Sequence, residues 1–308
     1  MSGKLRIGII GCGDFLRLRA ADLLSSRQVE VKLLYSPVNS ANAERYAEIF
    51  GAKAADSPEA IINNLEIDVV CVFVPPFVRK EYVLAAAKAG KQIVATKPLA
   101  ADLSDAREMT EAVEQAGVRC GVIYRRTNNP VIEAYKEIFS GGEFGKLALY
   151  KQDWLHHYPT WNRWATAPQK NGGPFMDAML HNLNAARYLM GRRVVGRVFF
   201  SDDHTHSLAC DDTQFLKVDF EQGASAHLFI TWAAELAVYD SAKNDREHID
   251  QCFMVTDQGW LFRNEIREGK AVITATRNGL EKDFPVIPFE ETFFDRYAKE
   301  IKNRDILP

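Results

Sequence analysis

Short apolar, β-branched runs alternate with amphipathic stretches through residues 1–124. Leu5–Ile10 predicts a first strand, which runs into Gly11-Cys12-Gly13 and then a helix through about Leu24. Val29–Tyr35 predicts a second strand, and Ala41–Phe50 a helix stopped by Gly51. Ser57 and Pro58 form a helix start, the first as cap and the second at the opening helical position. Asp68–Val74 is almost wholly apolar, as a strand covered on both faces must be, and Pro75-Pro76 ends it. Val78–Ala89 predicts a helix, Gln92–Ala95 a strand, Ser104–Ala116 a helix and Arg119–Tyr124 a further strand. Strand and helix in strict alternation predict a parallel sheet with right-handed crossovers, a Rossmann-type unit.

The pattern then changes. A helix is expected near Val131–Phe139, a strand around Leu147–Trp154, and a helix from about Phe175 to Met190 after Gly172-Gly173. Alternating segments at Arg197–Ser201, Thr213–Phe220, Ala224–Trp232, Cys252–Thr256, Gly259–Arg263 and Ala271–Thr276 predict an antiparallel sheet. A last helix spans about Glu290–Lys302. The expected organisation is an α/β Rossmann domain over residues 1–124 and an α+β domain over 125–308, the latter with a large, mainly antiparallel sheet.

Composition adds exclusions. The 308 residues are 47% hydrophobic and 26% charged with a net charge of −3, which is ordinary globular composition. No basic cluster stands out, so nucleic acid is not an expected partner. No apolar run is long enough for a bilayer, and Ile7–Ile10 is too short for a signal peptide core. The five cysteines form no CxxC pair, which points to reduced thiols and a cytoplasmic location.

The candidate chemistry sits at a few places. Gly11-x-Gly13 follows a strand and opens a helix, the context in which backbone N–H groups bind a pyrophosphate. Cys12, Asp14 and Phe15 share that turn; the third glycine of the fingerprint is replaced by Leu16. The second strand ends Tyr35-Ser36-Pro37, without the acidic residue expected about 20 positions after the glycines. Its absence, with Ser36, Asn39 and Ser40 as hydrogen-bonding residues, tilts the expectation slightly from NAD to NADP, although no Arg sits adjacent. Equally, this turn can simply cap the next helix.

Lys97, in Thr96-Lys97-Pro98, follows a strand and would project where open α/β sheets bind ligands. Asp177 and His181 are four apart on a predicted helix and share a face, with Asn184 and Tyr188 extending the stripe. A carboxylate one turn from an imidazole orients it for general-base work; the bland alternative is an ordinary solvated ion pair. Tyr124 and Arg125 at the domain boundary, and Trp161, Arg163 and Trp164 in an aromatic loop, are candidate substrate contacts. Asp202-Asp203-His204-Thr205-His206 has metal-ligand residue types but lacks a clear third ligand position, so no metal is expected.

The glycine loop, Pro75-Pro76, Thr96-Lys97-Pro98 and Gly172-Gly173-Pro174-Phe175-Met176-Asp177 with His181 come in an order that resembles the glucose-fructose oxidoreductase / inositol dehydrogenase / rhizopine catabolism (Gfo/Idh/MocA) family. The resemblance covers nearly the whole chain. It implies NAD(P)-dependent hydride transfer between a hydroxyl and a ketone on a sugar, cyclitol or related polyol. It implies Lys97, Asp177 and His181 as catalytic residues, with Pro75 and Pro76 against the cofactor. The chain departs from the family pattern at Leu16, at Arg79 (where His is frequent), at Thr96 (usually Glu) and at Asn184 (commonly Asp). In the expected mechanism His181 takes the hydroxyl proton and Lys97 stabilises the charge developing on that oxygen, the two groups meeting over the nicotinamide ring. Two alternatives stay open: a glycoside hydrolase that cycles a tightly held NAD, and a non-catalytic binding relative. A homodimer or homotetramer built through the second sheet is also expected.

Overall fold

The computed structural model describes residues 3–124, 129–160, 164–236 and 248–303. It divides into two compact units, Met1–Ile123 with Phe289–Pro308 and Tyr124–Pro288.

In the first unit, β1 (Leu5–Ile10), α1 (Asp14–Ser25), β2 (Val29–Tyr35), α2 (Ser40–Phe50), β3 (Lys53–Ala54), α3 (Pro58–Ile62), β4 (Val69–Val72), α4 (Lys80–Lys88), β5 (Gln92–Thr96), α5 (Leu103–Ala116) and β6 (Cys120–Ile123) follow the expected alternation. The sheet has six strands in the order β3-β2-β1-β4-β5-β6, and all its pairs are parallel. Every residue of β4 is buried, because helices cover both faces. The middle of β1 needs a glycine: a Cβ on Gly8 would stand 2.2 Å from Ile61 of α3. Ser57 and Pro58 open α3 as the sequence predicts, with the Ser57 hydroxyl accepting from Ala60 N–H at 3.2 Å. The two-residue β3 carries no apolar pattern and escapes sequence reading.

The second unit holds α6 (Pro130–Ser140), β7 (Leu147–Leu155), α7 (Leu180–Met190), β8 (Val194–Asp202), β9 (Thr213–Phe220), β10 (Ser225–Thr231), β11 (Ile249–Thr256), β12 (Leu261–Arg267), β13 (Lys270–Arg277) and β14 (Leu280–Pro285). These strands form one sheet of eight, ordered β14-β13-β12-β11-β7-β10-β9-β8, antiparallel except where β7 meets β10. Burial alternates with period two along β9 and β10, so one face packs on α6 and α7. The polar edge strand β14 is not in the predicted set, since it buries almost nothing.

The last helix, α8 (Phe293–Lys302), corrects the expected division of the chain, because it packs with the first unit. Phe294, Tyr297, Ala298 and Ile301 join the core beside β1 and β2. Gly121 leaves the room: its Cβ would come within 2.7 Å of the Tyr297 ring, whose hydroxyl donates to Ile93 O at 2.6 Å. Asp295 fastens the start of α8. It forms a capping box with Thr292 and accepts hydrogen bonds from Ser26 Oγ (2.6 Å), Arg27 N (2.9 Å) and Gln28 N (3.0 Å). Burial alone would raise the pKa of this carboxyl; the hydrogen bonds from Ser26 and Thr292 outweigh it and hold the group below the usual range.

Asp295→Ala should therefore cost about 2–4 kcal/mol at neutral pH, read from urea unfolding, since it strands buried donors. The unfolded chain takes the proton first as pH falls, so the stability due to Asp295 is present above roughly pH 4 and is lost through the lower folded-state pKa. The gap between native protein and variant should narrow correspondingly in acid.

Candidate active site

At the carboxyl edge of the parallel sheet β1 ends and the chain turns through Gly11 into α1. Gly11 has φ +107°, and a Cβ there would lie 2.7 Å from Phe73 C and 2.9 Å from Val74 N. Only glycine satisfies both the conformation and the approach of the two backbones. Gly13 is the opposite case: a Cβ there would meet no atom within 4 Å, and no side chain caps the first turn of α1. An open, uncapped helix start beside a close-packed turn is a fit for a pyrophosphate.

The neighbouring candidates play different parts. Cys12 turns inward, with its thiol donating to Tyr35 O at 3.6 Å, and burial pushes its pKa up to about 12; its backbone alone faces the turn chemistry. Asp14 is exposed and pairs with Arg17 at 3.5 Å. Phe15 lies edge-on to Phe73 with centroids 4.9 Å apart. Leu16, the residue at the third fingerprint position, is fully buried in the core under α1. Ser36 is half-buried just past β2, while the Asn39 carboxamide accepts from Ala41 N–H and caps α2. Asn39 is thereby occupied by the capping role that the sequence left open.

Pro75 and buried Pro76 lead to Arg79, a residue the sequence marks only as a departure. Its side chain is 1% exposed and has become a peg between strand ends. Nη2 donates to Val74 O (2.6 Å) and Thr96 Oγ1 (2.5 Å); Nη1 donates to Thr96 O (2.6 Å), Leu99 O (3.0 Å) and Pro98 O. Burial lowers its pKa to about 10, with Cys120 acting in the opposite sense, so it stays charged at neutral pH. The guanidinium thus binds the backbone on both sides of Lys97, which is half-buried just beyond β5 and precedes a cis Pro98. Thr96, in the place of an expected acidic residue, supplies a neutral acceptor to the same guanidinium.

The second unit carries the other candidates. Asp177 lies in a π-helical turn, Phe175–Met179, that leads into α7, where His181 follows. The wide turn is held by Leu180 N–H donating to Phe175 O, and such turns recur at functional sites. Gly172 and Gly173 have φ of +82° and +91°, and Gly173 runs against Asp211 O and Cys210. Buried Asn171, not foreseen from sequence, donates from Nδ2 to Asp177 Oδ1 at 3.3 Å. Tyr124 stands edge-on to His181, with centroids 6.2 Å apart and planes at 88°. Burial raises the Tyr124 pKa against the pull of Arg187, so its hydroxyl keeps its proton. His156, also buried, has its pKa lowered by burial, partly offset by its backbone hydrogen bond and by Asp177.

The predicted polar stripe splits. Asn184 stays half-buried, but Tyr188 turns to α6 and donates to Glu133 at 2.7 Å. Trp164 is half-buried after the aromatic loop. Arg125, Trp161 and Arg163 lie outside the described residues.

A dinucleotide-type parallel unit and a sheet unit bearing an Asp–His helix together define a Rossmann oxidoreductase. Residues 5–124 match the family described as "Oxidoreductase family, NAD-binding Rossmann fold", and residues 132–246 match its C-terminal domain, so the chain belongs to the Gfo/Idh/MocA oxidoreductases. It is 24% identical over 315 residues to scyllo-inositol 2-dehydrogenase (NAD(+)) of Bacillus subtilis (strain 168), spanning 98% of this chain and 86% of that one. It is 27% identical over 317 residues to myo-inositol 2-dehydrogenase of Thermotoga maritima, spanning 97% and 86%. Among solved structures, a putative NADPH-dependent oxidoreductase from Desulfitobacterium hafniense superposes with a TM-score of 0.83 at 16% identity, over 98% of this chain and 89% of that one. A 3-ketoreductase from Actinomadura kijaniata, in complex with NADP and TDP-benzene, gives 0.80 at 18% identity, over 99% and 92%. Among the described residues no helix is long and apolar enough to cross a membrane.

Arg79→Met should cost about 3 kcal/mol or more in urea unfolding, because it leaves several buried carbonyls without donors. Gly11→Ala should abolish measurable nicotinamide nucleotide binding in a fluorescence titration, since a Cβ at that φ forces the turn away from β4.

Proposed function

We propose that this chain interconverts a hydroxyl and a ketone on a sugar, cyclitol or related polyol, using NAD(P). The observation that carries the reading is the grouping of Asp177, Asn171, His181 and Tyr124 around the π-turn and α7. In this reading His181 accepts the proton of the substrate hydroxyl. Asp177, steadied by Asn171, orients the substrate or the imidazole. Lys97, held in place by the Arg79 peg, donates to the substrate oxygen and offsets the charge that develops there. The nicotinamide, when bound, supplies the acceptor for the hydride. Tyr124, Asn184 and Trp164 line the substrate side; Arg125, Trp161 and Arg163 stay candidate substrate contacts from sequence. The names of the inositol dehydrogenase relatives favour a cyclitol or sugar over other alcohols.

We further propose NADP as the preferred cofactor. The turn after β2 carries no carboxylate to repel a 2′-phosphate, and Ser36 is available there to bond it. A homodimer or homotetramer through the second sheet is part of the same reading, supported by Phe200 at 60% exposure stacked on Phe215.

A polyol and keto-sugar panel with NAD and NADP in parallel tests the activity. Lys97→Ala and His181→Ala should each lower kcat by about 10²–10⁴-fold while leaving the unfolding midpoint in place. Unchanged turnover in either variant removes that residue from the mechanism. Hydrolysis of a glycoside with no added nucleotide, or ligand binding with no change in reduced-nicotinamide absorbance, would replace the reading. Ser36→Asp should shift the KM ratio toward NAD; an unaltered ratio would show that the β2 turn does not read the ribose.

A further inference from the structure

The histidine-bearing segment after β8, set aside in sequence for want of a third ligand, finds partners from two other connections of the second unit. His206 comes from the turn between β8 and β9, His157 from just beyond β7, and Glu235 from just beyond β10. One ligand atom from each of the three can be chosen so that all lie within 4.8 Å of one another. Glu235 Oε2 stands 3.5 Å from His157 Nε2, and Oε1 stands 3.9 Å from His206 Nε2. Both exceed the roughly 2.7–3.2 Å of a good N–H···O hydrogen bond. The first approaches the spacing of two ligands on a tetrahedral ion, roughly 3.4 Å when each bond is about 2.1 Å. The second sets the same carboxylate beside the His206 ring.

Each ring also has a backbone carbonyl against one of its nitrogens. His157 Nδ1 is 2.9 Å from Tyr158 O, and His206 Nε2 is 3.0 Å from Trp232 O. A backbone carbonyl on one ring nitrogen fixes the tautomer and leaves the other nitrogen with its lone pair. That leaves Nε2 of His157 as its donor atom; His206, whose Nε2 faces both Trp232 O and Glu235, contributes one of its two ring nitrogens.

The three segments are stitched together before any ligand arrives. The buried Asp212 carboxylate accepts the consecutive N–H groups of His204 (3.2 Å), Thr205 (2.9 Å) and His206 (3.2 Å). Trp232 N–H donates to Asp212 O at 2.7 Å, His156 N–H to Thr231 O at 3.1 Å, and His157 N–H to Leu236 O at 2.8 Å. Little backbone ordering entropy is therefore left to lose on binding. The Glu235 side chain is 74% exposed, against 25% for His157 and 13% for His206, so a fourth position opens to water.

We propose that His157, His206 and Glu235 form a binding site for a divalent transition-metal ion of the zinc class. Two imidazoles and one carboxylate suit such an ion better than magnesium or calcium, which prefer oxygen ligands. The ion ties the connections after β7, β8 and β10 into one cluster and leaves a coordination position for water or a small oxygen ligand.

The test uses the full chain, free of any affinity tag and stripped with EDTA, titrated with Co²⁺ and then displaced with Zn²⁺. A single equivalent should bind, with ligand-field absorption of a four- or five-coordinate site, and Zn²⁺ should raise the Tm. His157→Ala, His206→Ala and Glu235→Gln should each weaken binding by tenfold or more, on the order of what loss of metal-site contacts costs. His206→Gln, which keeps a polar side chain in the turn, guards against loss of fold, as does circular dichroism of each metal-free variant. His204→Ala should bind as the native chain does. Binding that survives in His157→Ala and His206→Ala, that is lost instead in His181→Ala, or that fails to reach one equivalent would overturn the proposal. None of these readouts depends on turnover, so failure of the dehydrogenase reading leaves the site standing, and the reverse.

Discussion

A guanidinium taken out of water must find acceptors for its donors, and at Arg79 it finds them in the ends of two parallel strands. Val74 O, Thr96 O, Thr96 Oγ1 and Leu99 O all turn toward it. No carboxylate is needed, because backbone carbonyls and one hydroxyl share the charge. The carboxyl edge of the sheet is where a nucleotide of this fold approaches, and it is here that strand ends most need to be fixed. The peg determines the course of the Lys97 turn on one side and the exit of β4 on the other. The exit of β4 in turn is what Gly11 packs against. The glycine turn, the proline exit and the lysine turn are in this sense one construction.

The same device appears in the second unit, with a carboxylate in the role of the guanidinium. Asp212 gathers three successive N–H groups into a tight turn, and burial, which would raise its pKa, is outweighed by those bonds. Asp295 does likewise in the first unit, for the turn ahead of β2. Each buried charge is matched to backbone groups that a strand or helix cannot satisfy for itself. These residues set where loops emerge from the sheets.

The architecture was legible because it follows from periodicity. Runs such as Asp68–Val74, the glycines that stop helices and the Gly11 turn carry their reasons in the local sequence. What was not legible depends on residues far apart in the chain. The role of Arg79 needs carbonyls from two strands; as a departure from a pattern it had a signal but no meaning. Asn171 sits before a conspicuous Gly-Gly pair, and only the fold shows that it reaches Asp177. The π-turn looks the same as an α-helix in a hydrophobic pattern, since both keep residues four apart on one side. Strand β14 and the return of α8 to the first unit were missed for opposite reasons. The strand buries too little to leave a pattern, and the helix leaves a clear pattern that does not say which core it joins.

Because Tyr297 and Asp295 complete a core that begins at Leu5, the first unit is discontinuous in the chain. A ribosome finishes its sheet long before it delivers the helix that covers one flank. Until then the groove over Gly121 and the donors around Ser26 face solvent. The core of the first unit therefore closes only after the whole of the second unit has been synthesised.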